Sequence, residues 1–313
     1  MLKIGLALGG GSSKGLSHIG VLKALEEENI PIGCISGTSM GAVIGAIYSS
    51  SPNVERLEEM TRKFTSSRAF KNLGLSVFKR EEESRLQQIV SMIKEKILFA
   101  EALFKSYLVK EEDLTESLNQ IIPDCMMEET MIPFSTVSLD LISGFDIIKK
   151  KGPLIDAVMT SMAVPGLFPY TEENGLLLVD GGPTSSVPVH AAKEMDADMV
   201  IAVSLRGKLE KTKKPKTGLE IHLRIDEIVV TRLLEMQTVK ADVIIRPDIE
   251  DVHWADFGKI DYCIEKGYEA AKEAIPKVRK VIREKSSIRN RMKNFFSKKR
   301  EHGAEILFQK EKS

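Results

Sequence analysis

The stretch IGLALGGGSSKGLSHIGVLKALEEENIPIGCISGTSMGAVIGAIY, residues 4–48, decides the fold. Ile4 to Leu8 is a short apolar run that ends in Gly9-Gly10-Gly11, the pattern of a buried strand entering a tight turn. From Ser17 to Glu28 the spacing becomes helical, with Ile19, Leu22 and Leu25 on one side and three acids at the end. Ile32 to Ser36 predicts a second short strand closed by Gly37, and Met40 to Tyr48 an apolar helix rich in small residues. Strand–helix–strand–helix order is the signature of a parallel sheet covered by helices.

Residues 53–122 read differently. Leu86, Ile89, Val90, Ile93, Ile97, Ala100, Leu103, Phe104, Tyr107 and Leu108 recur at helical spacing, which predicts a helical insertion packed beside the sheet. Strand signals resume at 134–139, 146–149, 176–179, 199–204 and 242–246. Helical stretches near 153–163, 188–195, 219–240 and 261–283 separate several of them. The lysine-rich segment Lys208 to Lys216 reads as an exposed loop. The expected architecture is α/β: a mostly parallel central sheet covered by helices, in a body spanning 1–276, followed by a basic tail over 277–313.

Composition narrows the class. Apolar residues form 42% of the 313, enough for a full core, and 45 basic residues balance 45 acidic ones, which argues against a nucleic-acid-gripping surface. The balance is uneven along the chain: Lys277 to Arg300 holds eleven lysines and arginines against one acid, Glu284. Cys34, Cys125 and Cys263 form no C-x-x-C pair, so neither a disulfide framework nor a zinc knuckle is indicated. The early glycines leave no room for a signal peptide, and no run approaches the roughly 18 apolar residues of a membrane span. A soluble cytoplasmic protein is expected.

Gly37-Thr38-Ser39-Met40-Gly41 fits G-x-S-x-G between a strand and a helix, where a serine oxygen is thrust out of a sharp turn and the helix start faces developing negative charge. The loop Gly9 to Gly15 fits neither nucleotide pattern: Leu16 follows Gly15 where a Walker loop needs lysine, and Lys14 stands where the dinucleotide fingerprint needs its last glycine. A nest of backbone N–H groups beside a cation remains, suited to an oxyanion or a phosphate. No downstream histidine (His190, His222, His253 or His302) sits in a glycine-rich loop at a strand end, and His18 follows the first loop on the first helix. Leu176 to Gly182 instead ends a buried strand in Asp180-Gly181-Gly182. On local sequence alone this is equally an ordinary Asp-Gly turn.

Taken together, Gly10-Gly11-Ser12-Ser13-Lys14-Gly15, Gly37-Thr38-Ser39-Met40-Gly41 and Asp180-Gly181-Gly182 resemble the patatin-like phospholipase family, close to its bacterial branch related to neuropathy target esterase. The stretch Thr160 to Pro169 resembles the family's segment before the aspartate, and the similarity runs from about residue 3 to 206. The resemblance implies a Ser–Asp dyad with Ser39 as nucleophile and Asp180 as base. It also implies an oxyanion hole of Gly10, Gly11 and the Ser12 backbone, with Lys14 in the family's basic position. Gly15, Gly37, Gly41, Gly181 and Gly182 would support these groups. The implied chemistry is hydrolysis of acyl esters of phospholipids, lysophospholipids or neutral lipids, with no metal and no cofactor.

Two departures stand out. Ser12 replaces a frequent glycine, and Ser185-Ser186 replace a more usual asparagine after the aspartate. An acyltransferase using the same acyl-enzyme and an idle lipid-binding module stay open beside the hydrolase. In the tail, Val278, Val281, Ile282, Ile288, Met292, Phe295 and Phe296 fall on one side of a basic helix. Such a helix either lies on an anionic bilayer or docks on its own body. With a lipid substrate, residues 277–313 are expected to hold the enzyme at the inner face of the cytoplasmic membrane.

Overall fold

The computed structural model describes residues 2–75, 107–207, 209, 211–212, 214–249 and 251–287. Its centre is an eight-stranded sheet. In chain order the strands are β1 (Ile4–Leu8), β2 (Cys34–Gly37), β3 (Phe134–Asp140), β4 (Asp146–Lys149), β5 (Thr171–Glu173), β6 (Leu176–Asp180), β7 (Met199–Val203) and β8 (Val243–Ile245). Across the sheet they run β5-β6-β3-β2-β1-β7-β8, with β4 pairing β3 off this path. The five strands from β3 to β8 are mutually parallel, while β4 and β6 run antiparallel to β3 and β5 antiparallel to β6. The mostly parallel sheet expected from the sequence is present.

Strand alternation divides the core into two layers. Ile4, Leu6 and Leu8, with Met199, Ile201 and Val203, face α1 (Ser17–Glu27), α2 (Met40–Ser50) and the last helix of the described chain. The other face is thin: Ala7, Val200 and Ala202 meet Val189, Ala192 and Leu234. Because both faces are covered, β1 and β7 are buried at every position, which is why they read as continuous apolar runs.

The helices are α1, α2, α3 (Val54–Ser66), α4 (Arg68–Asn72), α5 (Glu111–Leu118), α6 (Leu154–Ser161), α7 (Gly182–Ser185), α8 (Val189–Glu194), α9 (Gly218–Thr238) and α10 (Ile260–Ser286). The apolar side of α1 was read as Ile19, Leu22 and Leu25, but the helix is also buried at His18, Gly20, Val21 and Ala24. The reason is α10, which lies on its outer side. A Cβ on Gly20 would stand 1.9 Å from the Ile264 carbonyl, and one on Gly267 1.9 Å from the Ser17 carbonyl, so the two backbones touch.

Of the two alternatives for the tail, its first part takes the docked one. Helix α10 does not break at 276/277; Val278 is fully buried, and Val281 and Ile282 pack on the core. Arg279 pairs with Glu28 at 2.6 Å and Lys285 with Asp242 at 2.9 Å. Residues 277–287 therefore spend their apolar stripe and part of their charge on the body. The rest of the tail, with Ile288, Met292, Phe295 and Phe296, lies outside the described residues, as do positions 76–106 of the expected insertion. Its described ends are helical: Asn53 caps α3 by accepting from the Arg56 amide at 2.7 Å, and Leu114 and Leu118 of α5 enter the core.

Candidate active site

Two turns leave the same edge of the sheet. β1 and β2 are parallel neighbours in register Leu8↔Gly37, so the glycine loop and the serine turn that follow them emerge side by side. Ser39 sits at φ 55°, ψ −125°, a left-handed conformation that a serine adopts only under constraint. The constraint is visible. Its amide faces Ser161, whose carbonyl and Oγ both lie at 3.2 Å, while Thr38 N donates to the Leu8 carbonyl at 3.1 Å. Helix α2 starts directly after Ser39 and is held so close to β1 that a Cβ on Gly41 would stand 2.1 Å from the Leu8 oxygen.

The third motif arrives from the opposite direction. β6 runs antiparallel to β3, and its last residue, Asp180, pairs with Ser138, two positions beyond Thr136, the partner of Gly37. Sheet register thus brings the carboxylate to the level of the serine turn. The Ser39 side chain lies beside Asp180 and favours its ionised form. The Gly182 amide donates to the same carboxylate at 2.6 Å. Burial pushes Asp180 up to about 6, and the Ser39 side chain and the Gly182 amide hold it from rising further. A carboxyl tuned to that value accepts a proton near neutral pH.

The sequence expectation for the oxyanion hole needs one correction. The Gly10 amide donates to the Ser186 carbonyl at 2.9 Å and so is committed within the protein. What Gly10 supplies is clearance, since a Cβ there would meet the Ser39 Cβ at 3.1 Å. Among the described residues the amides of Gly11 and Ser12 show no acceptor, and both residues line the cavity with Ser39 and Asp180. Ser12 itself is held at φ 50°, the left-handed region in which glycine is favoured. Lys14 and Gly182 line the cavity as well.

Several contributors were not singled out from sequence. The Thr38 hydroxyl donates to the Ser185 carbonyl at 2.9 Å, Ser186 Oγ to the Gly182 carbonyl at 2.5 Å, and Thr184 Oγ1 to Asp146 at 2.5 Å. The short helix α7 therefore ties the aspartate turn to both the serine turn and the glycine loop. The two serines in place of the more usual asparagine work through their backbone carbonyls, a role no side-chain pattern reveals.

The histidines lie elsewhere. His18 is fully buried, its Nε2 2.7 Å from the Gly9 carbonyl, and burial lowers it to about 4, so it stays neutral and braces the glycine loop. His190 stands 3.5 Å from both Asp146 and Ser185 Oγ, and His253 Nδ1 accepts from the Ala255 amide. His222 is exposed on α9. His302 is outside the described residues.

Ser39 and Asp180 open onto a cavity of about 1190 Å³. Val43 and Ile44 of α2, Phe64 of α3, Phe70 of α4, Leu114 of α5 and Phe168 form an apolar wall of this cavity. Two ends of the expected helical insertion thus build one side of the cavity. Groups of His, Cys, Asp and Glu able to hold a metal ion are absent among the described residues.

A family model described as patatin-like phospholipase matches residues 6–193, a span that holds all three motifs. Patatin-like phospholipase domain-containing protein 6 of Homo sapiens is 28% identical, over 86% of this chain and 20% of its own length. An uncharacterised NTE family protein of Mycobacterium tuberculosis is 30% identical, over 66% of this chain and 49% of its own. Lysophospholipase NTE1 of Candida glabrata is 27% identical, over 86% of this chain and 16% of its own. The chain accordingly spans half or less of the length of these relatives.

Proposed function

The chain belongs to the patatin-like phospholipase family, and from that premise we propose that it hydrolyses acyl esters of lipids through an acyl-enzyme on Ser39, with Asp180 as base. The observation that carries this reading is the convergence of a strained serine turn and a buried carboxylate at the mouth of an apolar cavity.

In the first step Asp180 takes the Ser39 proton while Oγ attacks the ester carbonyl carbon. The carbonyl π electrons move to oxygen, and the amides of Gly11 and Ser12, with the start of α2 behind Ser39, stabilise that negative charge. Collapse breaks the bond to the alcohol oxygen, which leaves with the proton from Asp180. A water then attacks the acyl-enzyme, gives its proton to Asp180, and the acid departs as Ser39 recovers that proton. Every bond and proton change is accounted for by Ser39, Asp180 and water, so the scheme calls for no metal or cofactor.

The apolar wall favours a long acyl chain, since each methylene taken from water contributes about 0.8 kcal/mol. At about 1190 Å³ the cavity exceeds the roughly 300–1,000 Å³ of ordinary small-molecule sites. Lysophospholipids and phospholipids are the substrates this reading puts first. Three free cysteines support a reducing, cytoplasmic setting, and among the described residues no helix is long and apolar enough to cross a membrane.

The test is labelling with a fluorophosphonate followed by peptide mapping, alongside turnover of a panel of acyl esters. Label on Ser39, lost together with hydrolysis in Ser39→Ala, is the expected result. Label on Ser12 or Ser161, or a Ser39→Ala protein that still turns over esters, would overturn the assignment.

A further inference from the structure

Helix α9 carries a row of apolar side chains left bare among the described residues. Ile221, Ile225, Val229, Met236 and Val239 recur at spacings that keep them on one side of the helix, and they are 47%, 49%, 56%, 71% and 80% exposed. The side that docks on the body is different: Thr231, Leu234 and Thr238 are the buried positions, all in the C-terminal half. From Gly218 to Glu227 every residue except Arg224 is exposed. A contiguous apolar row of this size on a protein surface marks an interaction site.

Charge and position identify the partner. Exposed Lys211, Lys214 and Lys216 lead into the helix, Arg232 lies within the row, and Lys240 follows it. Of the four acids of the helix, Glu220, Asp226 and Glu227 fall on other sides, and Glu235 flanks the row. An apolar stripe rimmed by cations matches a surface of anionic headgroups over acyl chains. The same helix also forms one lip of the catalytic cavity, through Asp226, Val230 and Thr231. At its far end, Gln237 Nε2 donates to the Thr184 carbonyl at 2.5 Å, so α9 touches the aspartate turn as well.

We propose that the exposed row of α9, with the lysines ahead of it, is the surface that lays this protein on an anionic lipid bilayer. Docking there brings the helix that forms one lip of the cavity to the lipid surface. The purpose of this arrangement rests on the hydrolase reading of Ser39, whereas the docking itself does not.

The experiment uses the full chain and phosphatidylcholine vesicles with and without phosphatidylserine. The wild type should co-sediment with the phosphatidylserine vesicles, less so as salt rises. The triple variant I221D/I225D/M236D should lose affinity by about tenfold or more, because three side chains no longer leave water. K211Q/K214Q/K216Q should keep its circular dichroism and lose the salt-sensitive part of the binding. Both variants should hydrolyse a short soluble ester at the wild-type rate. Wild-type-like vesicle binding by the aspartate variant overturns the proposal. If that variant fails to fold, unchanged binding by the folded lysine variant overturns it instead. A wild type whose self-association, rather than vesicle binding, is lost in the aspartate variant makes a second copy the occupant and also overturns it. Vesicle binding is read without turnover, so a protein that docks but hydrolyses nothing counts against the Ser39 chemistry alone.

Discussion

The Thr38 hydroxyl donates to the Ser185 carbonyl at 2.9 Å, and both residues are fully buried. One hydrogen bond thus joins the turn that carries Ser39 to the turn that carries Asp180. Thr38→Val keeps the side-chain shape but leaves that carbonyl without a partner, a loss of about 1–3 kcal/mol. Because the two turns can then drift, kcat should fall by about tenfold or more while KM changes little. Thr38→Ser, which restores the hydroxyl, should recover most of kcat. Equal kcat in all three proteins would show that the bond does not position the dyad.

Asp180→Asn should remove several orders of magnitude of activity, by analogy with knockouts of other catalytic bases. In the wild type, kcat/KM should rise with pH and level off above about 6, where the buried carboxyl ionises. The same burial has a sign for stability. A carboxyl raised from 3.8 to about 6 binds its proton more tightly in the folded state, so the wild type loses stability as pH rises through this window. Asp180→Asn should therefore be more stable than the wild type at pH 7.5, by on the order of 2–3 kcal/mol, with the gap closing toward pH 4. Thermal melts across this pH range check it; a variant less stable at pH 7.5 contradicts the desolvation account.

Substituting His190, His222 and His253 one at a time should leave substantial turnover, since none of them is hydrogen-bonded to Ser39 among the described residues. Steady-state kinetics on the three folded variants is sufficient. One of them as inactive as Asp180→Asn would make the Ser–Asp scheme wrong.

Ser12→Gly relieves a left-handed residue at φ 50° and frees the amide to align on the oxyanion. The expected change is a rise in kcat of about two- to tenfold with KM held, since the gain comes only in the transition state. A fall in kcat would mean that the serine side chain itself takes part.

Gly41→Ala should destabilise by on the order of 2–4 kcal/mol, because its Cβ would fall 2.1 Å from the backbone oxygen of Leu8 and backbone cannot step aside cheaply. Chemical denaturation measures it. Near-neutral stability would show that α2 shifts away from β1 at little cost.

The parts of the fold legible in the sequence are those whose burial is two-sided or whose turns are steep. β1, β2 and β7 announce themselves as apolar runs between glycines, and Ser39 stands out because its turn needs small neighbours on both sides. β5 escaped because Thr171-Glu172-Glu173 is a polar edge, although Asn174-Gly175, with φ 52° and 80°, is a strong hairpin signal. As a local pattern Asp180-Gly181-Gly182 is equally an ordinary turn. The pairing of Asp180 with Ser138 is a product of strand order, which local sequence does not encode, and the family resemblance supplied what the pattern could not. The commitment of the Gly10 amide to Ser186 is a backbone contact across more than half the chain, and it was invisible for the same reason.

The contact between α1 and α10 sets a condition on how the protein is made. β1 and α1 leave the ribosome ahead of the elements they pack on: β1 must wait for β7, and α1 for a helix whose Lys272 pairs with Glu28 across 244 positions. Until Val203 has emerged the first strand lacks one neighbour, and until Ser286 has emerged the first helix has its outer side bare. Contacts this distant in sequence are slow to close, and a chain that stalls before α10 exposes the apolar side of α1 to unwanted association.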